Sequence, residues 1–223
     1  KISLCRLFSG IMVDAADYQP LSGDAPVIAN MQEFFLQGSV LDTCVDKIHE
    51  RLQGLCDNVS PEAFTDHERT YVMRNTTSNM PITVKACQSL VDKSAVPWQI
   101  KYMGNTDVGD RTKSAMIRSS VSVAVSKDPS EFLEDLGFVL QFEVILKGYF
   151  YRKGRLKITV AKLSGSIDPN KHEAGNMSHL IEVSALASPL DESAGDEVRI
   201  FSQFLRPIVF LDKVDVRRLQ QKT

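Results

Sequence analysis

The amino-acid sequence predicts a mainly β (α+β) fold. The expected form is an antiparallel, closed or nearly closed β-barrel of about eight or more strands with about three peripheral helices. Three observations lead there. Apolar and polar residues alternate with period two along most of the chain beyond residue 60. The helix signals do not alternate regularly with those strands, which argues against a doubly wound parallel sheet. The strands are long and lack regular crossovers, as in a barrel or strongly curved sheet.

The elements follow in order. The run Gln32 to Gly38 reads as a short strand. Ser39 and Asp42 then fit a capping pattern for a helix. Leu41, Cys44, Val45, Ile48, Leu52 and Leu55 recur at three- and four-residue steps on its apolar face, and Gly54 is placed to end it. Strands are expected around Tyr71 and Met73, at Ile82, Val84 and Ala86, at Trp98, Ile100 and Tyr102, and at Val121, Val123 and Val125. Asp128, Pro129 and Glu131 open a short second helix with Phe132, Leu133 and Leu136 on its apolar side and Gly137 as its stop. The longest strand carries Phe138, Leu140, Phe142, Val144 and Leu146 on one face. It joins Leu156, Ile158 and Val160 through a tight turn at Lys153-Gly154. A polar loop spans residues 164–176, a strand 180–187 and a loop 191–196. Val198, Phe201, Phe204 and Leu205 give a last helix, broken by Pro207.

The chain has 223 residues, 43% hydrophobic and 24% charged, which suits one globular domain. Residues 30–214 are expected to form it. Residues 1–29 read as an atypical or poorly ordered extension, with Pro20, Gly23 and Pro26 giving their second half a linker composition. Residues 215–223 read as a frayed tail. The formal charge of −2 offers no global excess of cations to displace counterions from a phosphate backbone. No apolar run is long enough for a membrane-spanning helix. Arg6 interrupts the apolar start, and no clean cleavage site follows it. Cys5, Cys44, Cys56 and Cys87 form no Cys-x-x-Cys pair, and His49, His67, His172 and His179 do not supply metal-ligand spacing. Free, buried thiols are the expectation. The sequons at Asn75 and Asn176 matter only for a secreted chain.

Catalytic signatures are scarce. Ser164-Gly165-Ser166 lacks the second glycine of a nucleophile elbow, and neither a Walker A loop nor a dinucleotide fingerprint occurs. His67, between Asp66 and Glu68, reads as a surface histidine at a strand edge. Arg111, Lys113 and Arg118 form one basic cluster. Arg152, Lys153, Arg155 and Lys157 form another, beside Tyr149, Phe150 and Tyr151. Such interleaving suits single-stranded nucleic acid by stacking and charge, or a solvated hairpin tip that discourages edge pairing. The mildly acidic chain favours the tip. Catalytic, cofactor-binding and metal-binding residues are all expected to be absent. Trp98, Tyr149 and Tyr151 are the candidate partner-contact aromatics.

Several strings resemble animal members of the Mediator subunit 18 family. They are Phe34-Phe35-Leu36-Gln37-Gly38-Ser39-Val40-Leu41-Asp42, Arg51-Leu52-Gln53-Gly54-Leu55-Cys56-Asp57-Asn58, Pro97-Trp98-Gln99-Ile100-Lys101-Tyr102, Glu131-Phe132-Leu133-Glu134-Asp135-Leu136-Gly137-Phe138 and Lys147-Gly148-Tyr149-Phe150-Tyr151-Arg152-Lys153-Gly154, with Asp66-His67-Glu68 as a weaker echo. The resemblance implies a barrel carrying helices and a non-catalytic nuclear subunit of the Mediator head module. It also implies pairing with Mediator subunit 20, tethering by a helix of Mediator subunit 8, and an indirect link to RNA polymerase II. The barrel is similar to that of triphosphate tunnel enzymes, so a tunnel-type phosphohydrolase or nucleotide-binding barrel is the alternative. That chemistry needs two carboxylates two residues apart on one strand face, and a lumen lined by acidic and basic groups. Glu143, between Gln141 and Ile145, and Glu182, followed by Ser184, do not supply the pair.

Overall fold

The computed structural model describes residues 31–73, 81–91, 96–104, 106, 112–165, 177–191 and 193–214. The expectations for residues 1–29 and 215–223, Cys5, Arg111, His172, most of the 164–176 loop, and the sequon asparagines Asn75 and Asn176 lie outside these.

Eight strands close into one antiparallel barrel. They are β1 (Gln32–Leu41), β2 (Glu62–Met73), β3 (Ile82–Ser89), β4 (Trp98–Met103), β5 (Met116–Val125), β6 (Val139–Lys153), β7 (Leu156–Ser164) and β8 (Ser178–Ala187). Around the barrel the order is β1, β5, β4, β3, β2, β6, β7, β8, and β8 returns to pair with β1. The helices are α1 (Val45–Leu55), α2 (Ser130–Asp135) and α3 (Ser193–Phe204). The expected fold class is therefore the observed one.

The pleat sends alternate side chains to the lumen and to the outside. On β7, Leu156, Ile158 and Val160 point out, and Lys157, Thr159 and Leu163 line the lumen. The same holds for Phe34 and Leu36 against Glu33 and Gln37 on β1, and for Ile181 and Val183 against Leu180 and Glu182 on β8. The main core consequently lies outside the barrel. Ile48 and Leu52 of α1 and Val198, Phe201 and Leu205 beyond it cover the outer apolar face of β1, β7 and β8. Each fully buried leucine there contributes about 2–5 kcal/mol relative to alanine. A second cluster packs Leu133 of α2 on Tyr71, Val84, Ala86 and Trp98.

The element ends depart from several expectations. β1 runs to Leu41 because all ten of its residues pair with β8, so Ser39 stays extended and does not cap a helix. A 3-10 turn at Asp42–Cys44 leads into α1 without a side-chain cap. The Asp42 carboxylate is instead held by Lys162 and His179. Gly54 lies inside α1 and does not stop it. The helix ends at Leu55, where Cys56 turns extended while its N–H still bonds to Leu52 O at 2.9 Å. Gly137, at φ +90°, does stop α2: its N–H reaches Glu134 O and that of Phe138 reaches Leu133 O, the Schellman pattern. Of the expected apolar side of α2, only Leu133 is buried; Phe132 and Leu136 are exposed. The β6–β7 turn is Gly154-Arg155, one residue later than expected, with positive φ only at Gly154. The expected 191–196 loop gives way to α3 at Ser193, because Asp191 accepts hydrogen bonds from the Ser193 N–H and hydroxyl.

Candidate functional site

The three candidate aromatics occupy the outer wall at different depths. Trp98 is buried beneath α2, with the Arg69 guanidinium 5.0 Å from its ring centroid. Tyr151 is buried beneath α1, where its hydroxyl is hydrogen-bonded to His49 Nδ1 at 2.6 Å. Burial, with Cys56 and Tyr149 nearby, pushes this phenol up to about 12, so the hydroxyl stays protonated. Burial likewise lowers His49, assisted by His179. Tyr149 is 44% exposed and meets His49 edge-on at 5.3 Å. The structure thus brings Tyr149 and Tyr151 together through His49 and sets Trp98 apart.

The lumen encloses a cavity of about 340 Å³. Its polar lining follows from the pleat: Glu33 and Gln37 from β1, Asp66 and Glu68 from β2, Lys85 and Cys87 from β3, Lys101 from β4, Arg118 from β5, Lys157 from β7 and Glu182 from β8. Arg118 Nε donates to Glu33 at 2.6 Å, and its Nη2 stands 4.0 Å from Glu182. Gln37 donates to Glu182 at 2.6 Å. Lys85 donates to Glu68 at 2.5 Å. Desolvation dominates the groups that remain. It raises the Asp66 carboxyl to about 6, lowers the Lys157 ammonium to about 7 with help from Lys101, and pushes the Cys87 thiol up to about 11. Lys157 Nζ also sits 3.9 Å from the centre of the Phe150 ring, which stacks on Phe64 at 4.0 Å.

Sequence reasoning sought paired carboxylates on other strands and missed Asp66 and Glu68, which share the lumen face of β2 two residues apart. The signal was present: polar residues at every second position of otherwise apolar strands. The lumen also carries both charge signs. Yet Glu68 is bound by Lys85, and among the described residues no group of three or more His, Cys, Asp or Glu side chains could hold a metal ion. Glu143 points outward and bonds to His67 Nε2 at 3.0 Å. His67 is itself buried, at 3% exposure, rather than a surface residue. The basic clusters come apart for the same geometric reason. Arg118 and Lys157 enter the lumen, whereas Arg155 pairs with Asp191 and Glu197, and Lys153 with Asp57. Cys44, Cys56 and Cys87 are free thiols.

Fold and site together define a class: a closed eight-stranded antiparallel barrel, helix-covered outside, with lumen charges largely matched to one another. A family model described as Med18 protein matches residues 32–88 and 69–222. The chain is 40% identical over 193 residues to Mediator of RNA polymerase II transcription subunit 18 of Danio rerio, covering 85% of this chain and 92% of the relative. It is 37% identical over 203 residues to the Xenopus tropicalis protein of the same name, covering 90% and 95%. A chain in the structure of the Schizosaccharomyces pombe Mediator head module shares the fold with a TM-score of 0.67 at 16% identity, covering 82% of this chain and 98% of that one. The chain belongs to the Mediator subunit 18 family.

Proposed function

We propose that the chain is a non-catalytic, nuclear subunit of the Mediator head module, a coactivator scaffold linking gene-specific regulators to RNA polymerase II. Family membership over residues 32–222 carries this reading. The lumen supports it chemically. The Arg118–Glu33 and Lys85–Glu68 pairs engage the groups a tunnel enzyme would turn toward metal and substrate, which sets the phosphohydrolase reading below the scaffold one.

Its work is assembly through surfaces. Residues 30–214 are the assembling unit. Mediator subunit 20 pairs with this unit, and a helix of Mediator subunit 8 tethers it. Tyr149 is the contact aromatic with accessible surface, backed by Tyr151 through His49; Trp98 supports the α2 side from beneath. Co-expression of residues 30–214 with subunits 20 and 8 is expected to yield a ternary complex on size exclusion. Tyr149→Ala is expected to weaken that complex tenfold or more while leaving the free chain folded, as for an interface anchor. Separate elution of the intact chain from both partners would overturn the pairing.

A further inference from the structure

The two flanks of α1 face different surroundings. His49 meets Tyr149 and Tyr151 on one side. Arg51 reaches the end of α3 on the other, where its Nη1 donates to Phe204 O at 2.9 Å and to Arg206 O at 3.5 Å. Around that contact three large apolar side chains stand in solvent. Phe204 is 53% exposed and Phe210 63%, while Ile200, one turn before Phe204 on the same side of α3, is 47% exposed. The Arg206 guanidinium lies 5.2 Å from the centre of the Phe210 ring, so aromatic and cation form one surface. Lys47, exposed one turn before Arg51 on α1, extends the basic rim.

The charges of this rim are not neutralised within the barrel domain. Among the described residues, no carboxylate forms an ion pair with Lys47, Arg51 or Arg206, and Arg51 engages its carbonyls through Nη1 alone. The α3 carboxylates are taken elsewhere: Asp196 by Arg199 and Ser114, and Glu197 by Arg155. An exposed apolar patch with a polar rim marks a contact surface, and aromatic and arginine side chains are the groups that carry binding energy in one. We propose that Ile200, Phe204 and Phe210, framed by Lys47, Arg51 and Arg206, dock an acidic amphipathic helix of a partner protein. Apolar residues of that helix at three- and four-residue spacing cover the patch, and its flanking carboxylates meet the three cations. The chain's own residues 215–223 carry Arg217, Arg218 and Lys222 against a single Asp215, which suits them poorly to the same rim. The surface is separate from Tyr149 and stands independently of the head-module reading.

The probe is a fluorescein-labelled synthetic amphipathic helix with leucine along one face and glutamate along the other, titrated with the full chain and read by fluorescence anisotropy. Saturable micromolar binding that weakens as salt rises is expected. Lys47→Glu combined with Arg206→Glu should lower the affinity tenfold or more. Phe204→Ser combined with Phe210→Ser should do the same, with the circular dichroism of the folded chain retained. Lys147→Glu, an equal charge change at an exposed site on β6, should leave binding as it was. The same peptide with glutamine in place of every glutamate should bind at least tenfold more weakly. Absence of saturable binding to the unaltered chain would overturn the proposal, as would equal affinity for the glutamine peptide or undiminished binding by the two patch variants. A concentration-dependent dimer in sedimentation equilibrium, abolished by Phe204→Ser, would assign the patch to a second copy of the chain and overturn it too.

Discussion

Burial sets the two most displaced lumen groups against each other. The folded-state pKa of Asp66, about 6, lies above its unfolded value near 4. Folding therefore favours the neutral carboxyl. The associated stability is fully present below about pH 4 and is lost as pH rises through 6. Asp66→Asn should flatten that slope and stabilise the fold at pH 7.5 by up to about 3 kcal/mol, read from urea unfolding at pH 4.5 and 7.5. An unchanged pH profile would refute the burial argument. Lys157 has the opposite sign. Its folded pKa of about 7 lies below the unfolded value near 10.5, so its stability is present above 10.5 and lost as pH falls through 7. Lys157→Met should raise the unfolding midpoint at pH 7 and remove the gain otherwise seen between pH 7 and 10.5. None of these shifts was legible from composition. A lysine beside Arg155 and Lys153 reads as part of a basic tip until the pleat turns it inward.

Strands were more legible than their surroundings. The alternation at Ile82, Val84 and Ala86, and at Leu156, Ile158 and Val160, marked β3 and β7 because the period of two is local to each strand. Which face meets the core was not legible. In a closed barrel one face goes to the lumen and the other to the outside, and here the apolar face of β1, β7 and β8 went outward beneath α1 and α3, whereas Phe142, Val144 and Leu146 of β6 line the lumen. Helix ends failed where tertiary contacts won: β8 kept Ser39 extended, and Lys162 and His179 took the Asp42 carboxylate. The reach of β1, β2 and β5 beyond their apolar runs also came from pairing. Gly148 shows how tightly that pairing is built. A Cβ there would lie 1.9 Å from the Val160 carbonyl oxygen on β7, and the backbone cannot yield that far. Gly148→Ala should cost about 3 kcal/mol or more in chemical denaturation, in the range of severe core overpacking. The exposed Gly54, with open space around it, should accept alanine at no cost or with a small gain. Equal effects at the two glycines would contradict the packing described.

At the scale of the whole molecule, closure leaves few strand edges for partners to extend, so recognition falls to side chains on the outer wall and to the loops. The family was legible in the sequence because collinear strings survive where chemistry-bearing motifs are absent. The candidate site was legible only in part: Tyr149 and Tyr151 were found as aromatics, whereas the Asp66, Lys101 and Lys157 convergence required the barrel order. This barrel works as a Mediator subunit. Purification of the tagged full chain from nuclear extract, followed by mass spectrometry of its stoichiometric companions, tests it most directly. Recovery with the subunits of the Mediator head is the expected result; recovery of the folded chain without any Mediator subunit would contradict it.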